Sequence, residues 1–86
     1  MVNIALIDDE PAVLTNIKKY VVDEIMPKDE VEIFTYTCAE DFLLELDQEI
    51  EFDILISDID MPNISGMELG RQIQEKGDRI YLVFLT

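Results

Sequence analysis

Histidine is absent from the 86-residue chain, and cysteine occurs only once, at Cys38. Without these side chains the protein cannot form a disulfide framework, a Cys/His zinc site or a catalytic pair that uses histidine as acid or base. A single cysteine is compatible with a reducing compartment, which is the default for a chain without disulfides. We therefore expect the protein to be cytoplasmic.

Long apolar runs are also absent. No apolar run approaches the roughly 18 residues that a membrane-spanning helix needs. The first residues, Met1-Val2-Asn3, lack the basic region that precedes the apolar part of a signal peptide. We therefore expect neither a membrane partner nor a targeting segment.

Basic residues are scarce, with 6 Lys plus Arg against 20 Asp plus Glu and a net charge of −14. Direct binding of nucleic acid by this chain is disfavoured, because such affinity comes from cationic side chains that displace counterions. Cations and basic protein surfaces are better partners for this charge. The 49% of apolar residues is too high for a disordered acidic tail, so we expect one small folded domain.

What the chain does contain is an alternation of strand and helix patterns. Short apolar runs at 4–7, 31–36, 52–57 and 80–85 are typical of strands, and the first and last are expected to be buried on both faces. The intervening segments carry apolar residues at helical spacing, at 11–25, from 39 to 50, and from 66 to Lys76. The order βαβαβαβ predicts an α/β fold with a parallel sheet and helices on both faces.

Local signals mark where these helices begin and end. Pro11 suits the first helical position, and Pro27 prevents continuation of that helix. Thr37 to Glu40 and Ser65 to Glu68 both match the capping box, in which a hydroxyl and a carboxylate satisfy backbone donors at a helix start. Gly77 stands at the usual stop position of the third helix.

The last strand pattern ends one residue before the end of the chain. A central parallel strand in that position would leave one sheet edge and part of one face uncovered. We therefore expect residues 1–86 to be a domain that is incomplete at its C-terminus. The uncovered edge predicts self-association or strand exchange instead of a stable monomer.

Acidic and hydroxyl side chains follow the ends of three of the predicted strands. They are Asp8 and Asp9 after the first, Asp58 and then Asp60 after the third, and Thr86 after the fourth. Ligands of open parallel sheets bind beyond the carboxyl ends of the strands, so these side chains should converge. Two carboxylates ~4 Å apart repel by about 4 kcal/mol at an effective dielectric near 20, and a hard cation such as Mg²⁺ would offset that repulsion. A carboxylate can also attack phosphorus, so the pattern predicts a Mg²⁺ and phosphoryl site.

Each of these residues also has a simpler interpretation. Asp8 and Asp9 could cap the first helix, Asp58 could belong to a turn, and Thr86 could be the last residue of a β-branched run. Only the joint occurrence of all of them at corresponding strand ends favours the phosphoryl site.

The quoted residues together resemble the receiver domain of two-component response regulators. The resemblance rests on IALIDDEP at 4–11, DILISDIDMP at 53–62 with Ser65-Gly66, and VFLT at 83–86. It implies a flavodoxin-like sheet with strand order 2-1-3-4, of which the last α-β-α portion is missing here. Receivers carry a phosphate-pairing lysine on that missing fifth strand, and neither Lys76 nor Arg79 matches it.

The resemblance also implies a role for each site residue. Asp58 would be the phospho-acceptor, taking its phosphoryl group from a sensor histidine kinase or from a small donor such as acetyl phosphate. Asp9 would bind Mg²⁺ directly and Asp8 largely through water. The remaining implied residues are Asp58 and the backbone carbonyl of Asp60 as further Mg²⁺ ligands, Thr86 as the switch hydroxyl, and Met61, Pro62 and Gly66 as residues that shape the adjacent loop.

The segment from Ile59 to Leu69 and the final Val-Phe-Leu-Thr are most similar to receivers of regulators with a LytTR-type DNA-binding domain. That similarity implies a separate output module for transcription regulation, outside this chain. A receiver is not an enzyme for external substrates and catalyses at most its own phosphorylation and dephosphorylation.

Two alternatives remain at the level of sequence. The Asp58-x-Asp60 pattern after an apolar strand is also found in Mg²⁺ phosphatases of the haloacid-dehalogenase superfamily, although Met61-Pro62 follows it here. The other alternative is a non-catalytic interaction fragment whose acidic cluster binds a metal structurally or not at all. Repeated release of phosphate from a small ester would identify a phosphatase.

Overall fold

The computed structural model describes residues 1–46, 48, 50–59, 64–75 and 79–85. Its four strands form one parallel sheet in the order β2-β1-β3-β4. The predicted α/β architecture and strand order 2-1-3-4 are confirmed. The strands are β1 at Val2–Ile7, β2 at Val31–Tyr36, β3 at Ile54–Asp58 and β4 at Tyr81–Leu85.

The helices are α1 at Pro11–Tyr20, α2 at Ala39–Leu46 and α3 at Gly66–Glu75. The predicted single helix over 11–25 has the correct span, but its last part, Val21–Ile25, winds as a π-helix. The N–H of Met26 donates to the carbonyl of Val21 at 2.9 Å, a five-residue step that defines this wider turn. Pro27 follows at once and cannot donate a further bond.

The second helix is shorter than its apolar stripe predicts. It ends at Leu46, the N–H of Gln48 donates to the carbonyl of Glu45 in a turn, and Ile50 lies outside the helix. The sequence from Glu45 to Glu51 is rich in carboxylates, which oppose the negative end of a helix dipole. The predicted end of the third helix at Lys76 and Gly77 lies outside the described residues.

The capping box at the start of α3 is formed in one direction. The backbone N–H of Glu68 donates to Oγ of Ser65 at 3.2 Å. The carboxylate of Glu68 instead accepts hydrogen bonds from Arg71 and Gln72 on the next turn. A charged partner at this spacing therefore replaces the reciprocal bond that the pattern predicts.

The sheet is covered on both faces by separate apolar clusters. Side chains of β1 and β3 pack with α2 and α3 on one face, where Phe42, Leu55 and Leu69 are fully buried. The centroid of the Phe42 ring lies 5.2 Å from that of Phe52, which extends this cluster to a residue two positions before β3. On the other face, Ile4, Leu6, Leu14, Val21 and Val31 form the cluster under α1.

β4 differs from the predicted buried strand. It pairs only with β3 among the described strands, Tyr81 is 73% exposed and Leu85 is 37% exposed. β4 is therefore an edge of the described sheet, and the predicted burial of this strand is wrong. The reason is topological, because an apolar edge strand needs a neighbour before its side chains are enclosed. Within the described part of the chain, no helix has the length and apolar character needed to cross a membrane.

Candidate functional site

The site lies at the carboxyl end of the two central strands. β1 and β3 are adjacent and in register, with Ile7 opposite Ser57, so the next residues, Asp8 and Asp58, emerge side by side. Asp8, Asp9 and Asp58 each offer a carboxylate oxygen within 4.8 Å of the others. The structure thus brings together three of the acidic residues that the sequence singles out.

Asp8 is the most enclosed of the three carboxylates. It is 7% exposed, and its Oδ1 accepts a hydrogen bond from the backbone N–H of Glu10 at 2.9 Å. Glu10 is the N-cap residue of α1, and its own side chain makes no capping bond. The hydrogen bond to Asp8 therefore stabilises the turn before α1. Capping of the N–H groups in the first turn of α1 does not explain why Asp8 is buried.

The electrostatic environment of Asp8 is unfavourable for its charge. Burial raises the pKa of the Asp8 carboxyl, the hydrogen bond from Glu10 opposes that shift, and the charges of Asp58 and Asp9 raise the pKa further. A cation held between these oxygens would remove the repulsion. Because the donors are carboxylate oxygens, the cluster fits a hard ion such as Mg²⁺ better than a soft metal.

Asp58 is held by its neighbours in the chain. The hydroxyl of the fully buried Ser57 donates to the backbone carbonyl of Asp58 at 3.0 Å. On the other side, the N–H of Ile59 donates to the carbonyl of Leu85 at 3.2 Å, which ties the end of β3 to β4. The sequence gives no signal for this use of Ser57, since a serine inside an apolar strand pattern has many possible partners.

Gly66 lies where α3 begins beside the end of β3. Its N–H donates to the carbonyl of Ile59 at 2.9 Å. A Cβ at this position would lie 2.7 Å from Cε1 of Phe84 and 2.9 Å from the Cα of Ile59. Only glycine allows this close approach, and Phe84 is the contact that the sequence analysis did not identify.

Several predicted site residues lie outside the described residues. They are Asp60, Met61, Pro62 and Thr86. Among the described residues, Leu85 is paired with Asp58 in the sheet register, so the end of β4 borders the acidic cluster.

Comparisons with known proteins agree on one family. The family described as "Response regulator receiver domain" matches residues 4–86. The chain is 30% identical over 79 residues to the transcriptional regulatory protein FlgR of Helicobacter pylori, covering 92% of this chain. It spans only 19% of the length of FlgR.

Solved structures show the same similarity. A response regulator receiver domain protein from Clostridium thermocellum has a TM-score of 0.81 and 30% identity, with 100% of this chain and 65% of that chain covered. A chain in the crystal structure of the histidine kinase ThkA in complex with the response regulator protein TrrA has a TM-score of 0.82 and 31% identity. That match covers 100% of this chain and 69% of the other.

Proposed function

Because the chain belongs to the response regulator receiver domain family, we propose that it accepts a phosphoryl group on Asp58 from a sensor histidine kinase. The observation that carries this proposal is the convergence of Asp8, Asp9 and Asp58 at the end of β1 and β3. The similarity to the ThkA and TrrA complex supports a histidine kinase as the class of partner.

The proposed transfer needs a nucleophile and a way to offset negative charge. A carboxylate oxygen of Asp58 bonds to phosphorus, the bond from phosphorus to the donor imidazole breaks, and its electron pair returns to the imidazole. The product on Asp58 is an acyl phosphate. The hydrogen bonds of Ser57 and Ile59 on either side support the backbone of Asp58 during this exchange.

Mg²⁺ is the proposed cofactor. Asp9, Asp8 and Asp58 would hold it together with the backbone carbonyl of Asp60. When bound, Mg²⁺ neutralises charge on the phosphoryl oxygens. Thr86 is the proposed switch hydroxyl, and Met61, Pro62 and Gly66 are proposed to shape the loop beside the site.

The wider context follows from the same resemblance. We propose that residues 1–86 belong to the receiver domain of a cytoplasmic regulator whose separate LytTR-type module binds DNA. The name of FlgR supports transcription regulation as the output. Domains of this family are in general signalling domains, which disfavours the phosphatase alternative, and we propose that catalysis is limited to the chain's own phosphorylation and dephosphorylation.

The exposed edge of β4 supports the proposal of self-association. Tyr81 and Leu85 are exposed on a strand that has one described neighbour. We expect size-exclusion chromatography with light scattering to give dimers, whereas a monomer at all concentrations would contradict strand exchange.

The principal experiment compares the chain with Asp58→Asn and with Asp23→Asn, an exposed control that removes the same charge. Acetyl phosphate with Mg²⁺ should add one phosphoryl group to the chain and to Asp23→Asn, and none to Asp58→Asn, as read by intact-mass spectrometry. In amide NMR spectra, Mg²⁺ should shift signals of residues 8–10 and 58–59.

Three outcomes would contradict the proposal. Equal phosphorylation of Asp58→Asn would assign the acceptor elsewhere. Repeated phosphate release from a small ester would favour the phosphatase alternative. Dispersed spectra that do not respond to Mg²⁺ would favour the non-catalytic interaction fragment.

A further inference from the structure

A groove lies away from the acidic cluster, between the first helical segment and the outer edge of β2. This groove has a volume of about 550 Å³, and Thr15, Lys18 and Val22 form one wall. The other wall is formed by the consecutive residues 31–33. Successive residues of a strand point to opposite faces of the sheet. A groove that contacts all three of these residues must therefore run along the edge of β2. That edge is open, because β2 pairs only with β1 in the described sheet.

The groove gathers half of the cations of the chain. Lys18, Lys19 and Lys28 line it, out of 6 Lys plus Arg in total. No ion pair links any of the three to another described residue, whereas Arg71 pairs with two glutamates on α3. Asp23 and Glu32 also line the groove, so it keeps one positive charge on a chain of net charge −14.

Between the charged side chains the groove is mainly apolar. Val22, Val31 and Ile33 belong to or pack against the core cluster under α1 and still reach the groove. The three lysines and these apolar side chains together suit a ligand that combines carboxylates with apolar side chains. A nucleic acid lacks such apolar side chains.

The groove and the acidic cluster lie at opposite ends of β2. The N–H of Asp8 donates to the carbonyl of Tyr36, the last residue of β2, whereas the groove contacts its first three residues. A molecule in the groove would leave the carboxylates of Asp8 and Asp58 accessible.

We propose that this groove docks an acidic segment of a partner protein, with the carboxylates of that segment beside the three lysines and its apolar side chains against Val22, Val31 and Ile33. Docking there does not require Mg²⁺ or phosphorylation, because the groove shares no residue with the acidic cluster.

The test uses a short fluorescein-labelled peptide of repeated Glu-Leu pairs and fluorescence anisotropy. Lys18→Glu and Lys28→Glu should each weaken binding by up to about fivefold, the range of one exposed ion pair. Arg79→Glu is the matched control, since it changes the net charge by the same amount at an exposed residue outside the groove. It should change binding by less than about twofold. Amide NMR shifts on peptide addition should fall on Thr15, Val22 and residues 31–33, with and without Mg²⁺.

Each alternative result would overturn the proposal. An equal effect of Arg79→Glu would show that only overall charge matters. Binding of duplex DNA with similar affinity and the same lysine dependence would identify a polyanion surface. Absence of peptide binding to the folded chain would leave the lysines with two local roles, complementing the helix dipole and protecting the edge of β2.

Discussion

Neutralising Asp8 should stabilise the metal-free protein, although it alters the proposed site. Asp8→Asn keeps the size of the side chain and an Oδ1 that can accept the hydrogen bond from Glu10. It removes a 7% exposed carboxylate whose oxygen lies within 4.8 Å of oxygens of Asp9 and Asp58. At that separation, Coulomb repulsion is about 3.5 kcal/mol per pair at an effective dielectric of 20 and about 0.9 kcal/mol in bulk water.

The net gain in the free energy of unfolding should lie towards the lower of these two values. Asp9 is exposed and Asp58 half-buried, so water screens both interactions, and burying an amide also has a cost. We expect the free energy of unfolding to rise by about 1–3 kcal/mol near neutral pH. For a domain of this size, each kcal/mol corresponds to about 4–8 °C in Tm.

The gain should depend on pH and on Mg²⁺. The pKa of Asp8 is raised in the folded state, so the folded chain holds the Asp8 proton more tightly than the unfolded chain does. The stability gained from this proton is fully present below the pKa of Asp8 in the unfolded chain, and it is lost as pH rises through the pKa in the folded chain. The advantage of Asp8→Asn should therefore vanish at about pH 3 and grow towards neutrality. Saturating Mg²⁺ should reduce this advantage, since an ion bound at the proposed site would stabilise the folded wild-type chain.

Urea denaturation followed by circular dichroism measures these differences, with a chelator or with Mg²⁺. Asp23→Asn, exposed and remote from the cluster, should change stability by less than about 0.5 kcal/mol. A metal-free Asp8→Asn variant that is no more stable than the wild type near pH 7 would refute the argument that unrelieved repulsion destabilises this site.

Further predictions concern the packing of two residues and the buried hydroxyl of a third. Gly66→Ala should destabilise the chain by about 1–3 kcal/mol, because the new Cβ would lie 2.9 Å from the backbone of Ile59. At Gly70 a new Cβ would lie 3.2 Å from Cδ2 of Leu82, the end of a flexible side chain, and at an ordinary contact distance of 3.8 Å from Cζ of Phe84, so Gly70→Ala should be close to neutral in the same urea experiment. Phe42 has 0% exposure, so Phe42→Ala should lower the free energy of unfolding by about 3–5 kcal/mol. Leu44 is 67% exposed, so Leu44→Ala should lower it by less than about 0.5 kcal/mol. Equal losses would contradict the assigned core. Burial, with the charge of Glu45, raises the pKa of Tyr36 to about 12. The free energy of unfolding should therefore fall as pH rises from about 10 to 12. Tyr36→Phe should remove this contribution to the fall in alkaline denaturation curves. Because the Tyr36 hydroxyl has no hydrogen-bond partner among the described residues, Tyr36→Phe should also stabilise near neutral pH by up to about 1 kcal/mol.

Local features of the sequence were sufficient for the order of elements. β2 occupies the predicted residues 31–36, and Pro11 begins α1 as expected. Ser65 caps α3 through the N–H of Glu68. These features depend on backbone geometry and on neighbours within a few residues, which is why a single sequence carries them.

The sequence also determined that acidic residues follow two apolar strands, and alternating strands and helices determined that the strands are parallel. Parallel strands bring their carboxyl ends to one edge, so the convergence of Asp8 and Asp58 could be predicted without coordinates. The family resemblance rests on the same residues, and the match over residues 4–86 supports it.

Tertiary structure alone decided how enclosed each residue is and what it contacts. The apolar pattern of β4 predicts burial, but the strand is an edge and Tyr81 is exposed. The π-helical winding of Val21–Ile25, the contact of Gly66 with Phe84 and the lysine-lined groove beside β2 were likewise beyond the sequence. Burial, close approach and electrostatic repulsion depend on distances between residues far apart in the chain, and only the packed fold sets those distances.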